Sequence, residues 1–175
     1  EIIAAKVMAF ISYAARQGRI DTINALIELD TDLDALDESG HTALMRVSYN
    51  GDVDLIDVLI EAGADVNARG ENGMTALIVA SMQDNIDVVN VLILAGADVD
   101  VRNKNGQTAL ILASMQGYTD VVNALIGAGA DVNALGELEM TALMFASIGG
   151  HLDVVNALIE AKAKIDFHSK DGWTA

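Results

Sequence analysis

The chain has 175 residues, 52% of them apolar and 21% charged, and its 26 Asp and Glu against 10 Lys and Arg leave a net charge of −16. So apolar a composition excludes a disordered chain, and the length suits one ordinary domain able to bury most of its apolar surface. Cysteine is absent, which rules out disulfides, Cys-ligated zinc, iron–sulfur centres and a thiol nucleophile.

In chain order, the opening Glu1-Ile2-Ile3-Ala4-Ala5-Lys6 lacks the basic n-region of a signal peptide. No apolar run approaches the ~20 residues that span a bilayer. The chain reads as soluble and non-targeted, with a cytoplasmic location as the expectation. Residues 4–36 read as a degenerate first unit, in which Ser12, Arg16, Gln17 and Arg19 face water as a polar cap. From there a repeat takes over: Thr42, Thr75, Thr108, Thr141 and Thr174 recur every 33 residues, each followed by Ala. Leu44, Leu77, Leu110 and Leu143 keep the period, as do Ser48, Ser81, Ser114 and Ser147, and Asp54, Asp87, Asp120 and Asp153.

Each period predicts two short helices. The first starts at the Thr, whose hydroxyl caps it, and runs through Ala43, Leu44 and Val47. The second follows Gly51, carries Asp54 at its positive end and buries Leu55, Ile56, Leu59 and Ile60. Gly63, Gly96 and Gly129 end the second helices with left-handed backbone. Helices of about eight to ten residues are marginal alone, so the units must stack. The small pairs Ala80-Ser81, Ala113-Ser114 and Ala146-Ser147 allow close approach.

Units such as Asn72-Gly73-Met74-Thr75-Ala76-Leu77, Asp87-Val88-Val89 and Leu92-Ile93-Leu94-Ala95-Gly96-Ala97-Asp98-Val99 resemble ankyrin repeats. The resemblance covers 37–69, 70–102, 103–135 and 136–168 as whole units, with 4–36 degenerate and 169–175 the start of another. It implies an all-α ankyrin-repeat solenoid of stacked helix-turn-helix units with projecting β-hairpin fingers, a single domain over 1–175 used for binding proteins. The family's Thr-Pro-Leu-His becomes Thr-Ala-Leu-Met at 42–45 and 141–144 and Thr-Ala-Leu-Ile at 75–78 and 108–111. Losing that His removes polar ties between fingers and puts finger rigidity in question. Lys162 stands where a helix-ending Gly is expected, at a cost of roughly 1–2 kcal/mol if left-handed. Glu139 replaces the turn Gly of Gly40, Gly73, Gly106 and Gly172, so the last whole unit should be the softest.

The partner-facing residues implied by the resemblance are those that vary between units. One row is His41, Met74, Gln107, Met140 and Trp173, and the other is Tyr49, Met82, Met115 and Ile148, edged by the polar Asn50, Gln83 and Gln116. Met, Tyr, Ile and Trp on an adaptable surface suit a protein partner. The alternative is that they fold down between neighbouring helices. Arg69, Arg102 and Lys104, from successive fingers, form a basic spot for an acidic group of the partner, or else are solvated tips.

Catalysis finds no support. His41, His151 and His168 occupy different places of the repeat, and His151 reads as a helix-start residue. The periodic Ser are packing residues. Asp30-Thr31-Asp32-Leu33-Asp34 begins like a calcium loop but has Ala35 and His41 where Gly and Glu are required. Gly127-Ala128-Gly129 neither follows a strand nor leads to a Lys, so it is no phosphate loop. No cofactor and no metal are expected, and the acidity argues against nucleic acid and anionic membranes. The reading is a non-catalytic protein-interaction module; the alternative is a structural segment that self-associates through its C-terminal end and Trp173.

Overall fold

The computed structural model describes Tyr13, Ala14, Gln17, Arg19, Asp21 and residues 32–175. Most of the first unit, including Ser12, Arg16 and Asp30, lies outside the described residues.

Among the described residues eight α-helices form four pairs: α1 (Ala43–Asn50) with α2 (Val53–Glu61), α3 (Ala76–Met82) with α4 (Ile86–Leu94), α5 (Ala109–Gln116) with α6 (Thr119–Gly127), and α7 (Ala142–Gly149) with α8 (Leu152–Glu160). Each odd-numbered inner helix packs on its own outer helix and on the next inner helix, while outer helices pack on outer helices. The caps follow the sequence. The hydroxyl oxygens of Thr42, Thr75, Thr108 and Thr141 accept from the backbone N–H three residues on, at 3.3 Å in every unit. Each bond satisfies one donor that a helix start otherwise leaves orphaned. Asp52 caps α2 likewise, accepting from Leu55 N–H at 3.2 Å.

The core runs through all four pairs. Leu44, Leu77, Leu110 and Leu143 are buried from the inner helices, and Leu59, Leu92, Leu125 and Leu158 from the outer ones. Each such side chain contributes about 1.5–3 kcal/mol. Ala80, Ser81, Ala113 and Ser114 are wholly enclosed, as close approach of neighbouring helices requires. Where the family resemblance leads one to expect His, Met45, Ile78, Ile111 and Met144 are buried instead.

The fingers differ from expectation. Among the described residues they form turns and no strands. Two or three backbone bonds close each turn, such as Asp37 N–H to His41 C=O and Gly40 N–H to Asp37 C=O, both at 2.9 Å, and single bonds such as Glu71 N–H to Gly40 C=O at 2.7 Å join neighbouring turns. A single bond per pair makes no ladder. Neighbouring units are also tied by a row of side chains, each holding the next unit's backbone. Asp34 Oδ1 accepts from Asp65 N–H at 2.9 Å, Asn67 Oδ1 from Asp98 N–H at 2.8 Å, Asp100 Oδ1 from Asp131 N–H at 2.9 Å, and Asn133 Oδ1 from Lys164 N–H at 2.8 Å. These bonds tie the fingers in the absence of the family's His.

The turns are of two kinds, set by their first residue. Asp37 and Asn103 close theirs by accepting from the N–H groups two and four residues on. Gly70 and Gly136 have no side chain to do this; a Cβ at Gly70 would stand 2.5 Å from the Gly40 carbonyl oxygen. Their turns instead pass through two left-handed residues, Asn72-Gly73 and Leu138-Glu139. Asn-Gly suits that backbone, whereas Leu138 (φ 56°) and Glu139 (φ 60°) are strained in it. Lys162 has φ 67°, so the left-handed end of α8 is kept without glycine.

Candidate functional site

The inner-helix ends and the finger turns enclose a groove of about 560 Å³. Its walls include His41, Met45, Arg46 and Tyr49 from the unit at 37–69, and Met74, Val79 and Met82 from the next. A second hollow of about 450 Å³ continues from it, sharing Met74 and Met82 and reaching Asn103, Gln107 and Leu112. Of the residues expected to face a partner, the structure therefore gathers His41, Tyr49, Met74 and Met82 in one groove and adds Gln107 in the second. Met115, Met140, Ile148 and Trp173 line neither.

Helix geometry explains who is exposed. Tyr49 lies in the last turn of α1 and is 59% exposed; Met82 closes α3 and is 39% exposed. Met74 and Met115 are half-buried and pack against the core. Met140 is half-buried, while Ile148 and Trp173 are exposed. Gln107 departs from the expected open row. It is buried, because Asn103 receives its N–H at 3.0 Å and donates to its Oε1 at 3.4 Å, folding it into its own turn.

The basic fingers also serve each other. Arg69 Nη2 donates to the Arg102 carbonyl at 2.7 Å, and Arg102 Nη1 to the Leu135 carbonyl at 2.6 Å. Both side chains remain exposed but are engaged along the stack, and Lys104 is exposed beside them. His151 opens α8 without capping it. Its Nε2 lies 3.1 Å from the Met115 carbonyl in the preceding unit. Asn85 does the same, donating to the Ser48 carbonyl at 2.9 Å. Both satisfy carbonyls that the end of an inner helix leaves free.

One half-buried ion pair underlies the groove. Arg46 Nε donates to Asp37 Oδ2 at 2.7 Å. Burial raises the Asp37 pKa, but the bonds from Arg46 and from the His41 and Ser39 N–H groups outweigh it and hold the carboxyl at about 2. The His41 ring Nδ1 is shielded from water, and at 4.0 Å from Asp37 Oδ1 it is beyond hydrogen-bond reach. The row Arg46, Val79, Leu112 and Phe145 was missed by the sequence reasoning. Its members vary between units as the two selected rows do, and that variation was the available signal.

Among the described residues no His, Cys, Asp or Glu cluster is arranged to hold a metal ion, and no helix is long and apolar enough to cross a membrane. The architecture is thus a stack of helix pairs with a side groove. A family profile described as ankyrin repeats in three copies matches residues 11–103, 50–136 and 83–171. The chain belongs to the ankyrin-repeat family. Domains of this family are in general protein–protein interaction modules and typically not enzymes. No curated protein matches the chain.

Proposed function

We propose that the chain is a non-catalytic binding module that takes a segment of a partner protein into the groove formed by the units at 37–69 and 70–102. The observation that carries the reading is the 560 Å³ groove with Tyr49 and Met82 exposed on its walls. Large side chains with a polar tip or a flexible thioether are the kind that form energetic centres of protein interfaces. The net charge of −16 weighs against phosphate backbones and anionic lipids as partners.

The test compares proteins captured from a native extract by the wild-type chain and by the Tyr49→Ala, Met82→Ala double variant. The expected result is loss of capture with the melting temperature nearly kept, since both side chains are exposed. Undiminished capture by the double variant would refute the groove.

A second reading rests on a different surface. Ile148, Leu152, Ile165 and Trp173 are all exposed on the last whole unit and the residues after it, Ile148 to 70% and Trp173 to 66%. Exposed apolar side chains of this size suit self-association. Light scattering over a concentration series distinguishes it: association lost on Trp173→Ala supports this reading, and a concentration-independent monomer rejects it.

A further inference from the structure

The chain carries 26 acidic residues, yet among the described residues the walls of the two grooves, which share Met74 and Met82, include no Asp or Glu. The acids lie elsewhere. Each outer helix has an Asp in its first turn (Asp54, Asp87, Asp120, Asp153), and none of the four carries a Lys or Arg. Among the described residues the one permanent cation on the groove walls, Arg46, is already engaged by Asp37 at 2.7 Å. At the edges the charge is mixed, with exposed Lys104 standing between Asn103 and Asn105 of the second groove's wall. Exposed Glu71 adjoins Asn72 in the finger, and exposed Asp84 follows Gln83 at the end of α3.

From this distribution, and resting on the groove reading above, we infer that the occupant is a segment with large apolar side chains at its centre, no acidic residue among those seated, and Lys or Arg on its flanks. Each part follows from a cost. An acidic side chain seated among Met45, Met74 and Met82 finds no uncommitted permanent cation among the described wall residues and lies within the field of a strongly negative body. A Lys or Arg at the centre loses hydration among Met45, Met74, Val79 and Met82 with no carboxylate on the walls to replace it. An apolar side chain there loses nothing polar and gains contacts with adaptable thioethers. Cationic flanks meet Glu71 and Asp84 in solvent, which speeds association and makes affinity fall with salt.

The experiment pans a phage-displayed random peptide library against the full chain, then measures a synthetic copy of the most enriched peptide by calorimetry. The expected peptides carry Phe, Trp, Leu or Met between Lys or Arg residues and are depleted in Asp and Glu. Their affinity drops at least tenfold for the Tyr49→Ala, Met82→Ala variant and several-fold on raising the salt. Peptides rich in Asp or Glu that still lose affinity to the variant overturn the inferred chemistry while leaving the groove as the binding site. Peptides indifferent to the variant, or no enrichment at all, overturn the groove reading and this inference together.

Discussion

Ser48, Ser81 and Ser114 hold one place in the repeat and are all fully enclosed, but their hydroxyls fare differently. Ser48 Oγ donates to the Leu44 carbonyl at 2.7 Å, whereas the Ser81 and Ser114 oxygens are buried without a hydrogen-bond partner. Replacing each with Ala changes three terms. Loss of the oxygen removes a little packing, and the swap from Ser to Ala favours a helix by about 0.5 kcal/mol; both are nearly equal at the three sites. The third term differs. At Ser48 a bond of about 1 kcal/mol is lost, while at Ser81 and Ser114 a desolvation penalty of about 1–3 kcal/mol is relieved. Ser81→Ala and Ser114→Ala should therefore stabilise the fold, and Ser48→Ala should lie below them by about 2 kcal/mol or more. Ser147 is exposed, so Ser147→Ala reports the helix-propensity term alone. The assay is urea unfolding followed by circular dichroism, with an unchanged m-value as the check that the midpoint shifts report stability. Equal shifts for Ser48→Ala and Ser81→Ala would refute the reasoning, because they would place the two hydroxyls in the same bonding state.

Three further outcomes are expected. Lys162→Gly should stabilise by about 1 kcal/mol, since Lys162 adopts φ 67° where Gly63, Gly96 and Gly129 adopt 96°, 88° and 89°; thermal melts check it, and no gain would mean the strain is relieved elsewhere. Asp37 is depressed from 3.8 to about 2, so it adds stability that is complete above pH ~4 and lost as pH falls through 2, about 2 kcal/mol in all. Urea midpoints from pH 5 to pH 2 should show that loss in the wild type and much less of it in Asp37→Asn. At Asp34 the pKa is raised, first by burial and then by the charges of Asp65 and Asp32, against the opposing bond from Asp65 N–H. Asp34→Asn, which installs the residue already found at Asn67 and Asn133, should gain a few tenths of a kcal/mol near neutral pH and nothing once Asp34 is protonated; a loss at neutral pH would contradict the charge argument.

The parts of the fold that repeat were legible because each repeated residue answers the same physical demand in every unit. A Thr that caps, a Leu that fills, a Gly that turns and an Ala that lets helices approach can be recognised by recurrence alone, and the structure uses them so. What recurrence hides is the surroundings of the residues that vary. Gln107 and Met74 share a position, yet one folds onto Asn103 and the other follows Gly70, which offers it no side chain. Arg69 and Arg102 read as open charges because their acceptors are backbone carbonyls 33 residues away, and every residue has one. His151 read as a helix-start residue because the carbonyl it meets belongs to the preceding unit. The groove is built from the same exceptions. His41, Tyr49 and Arg46 change identity from unit to unit while the Leu and Ala beneath them do not. A substitution at a periodic position should move the melting temperature before it moves binding, and one at Tyr49 or Met82 should do the reverse.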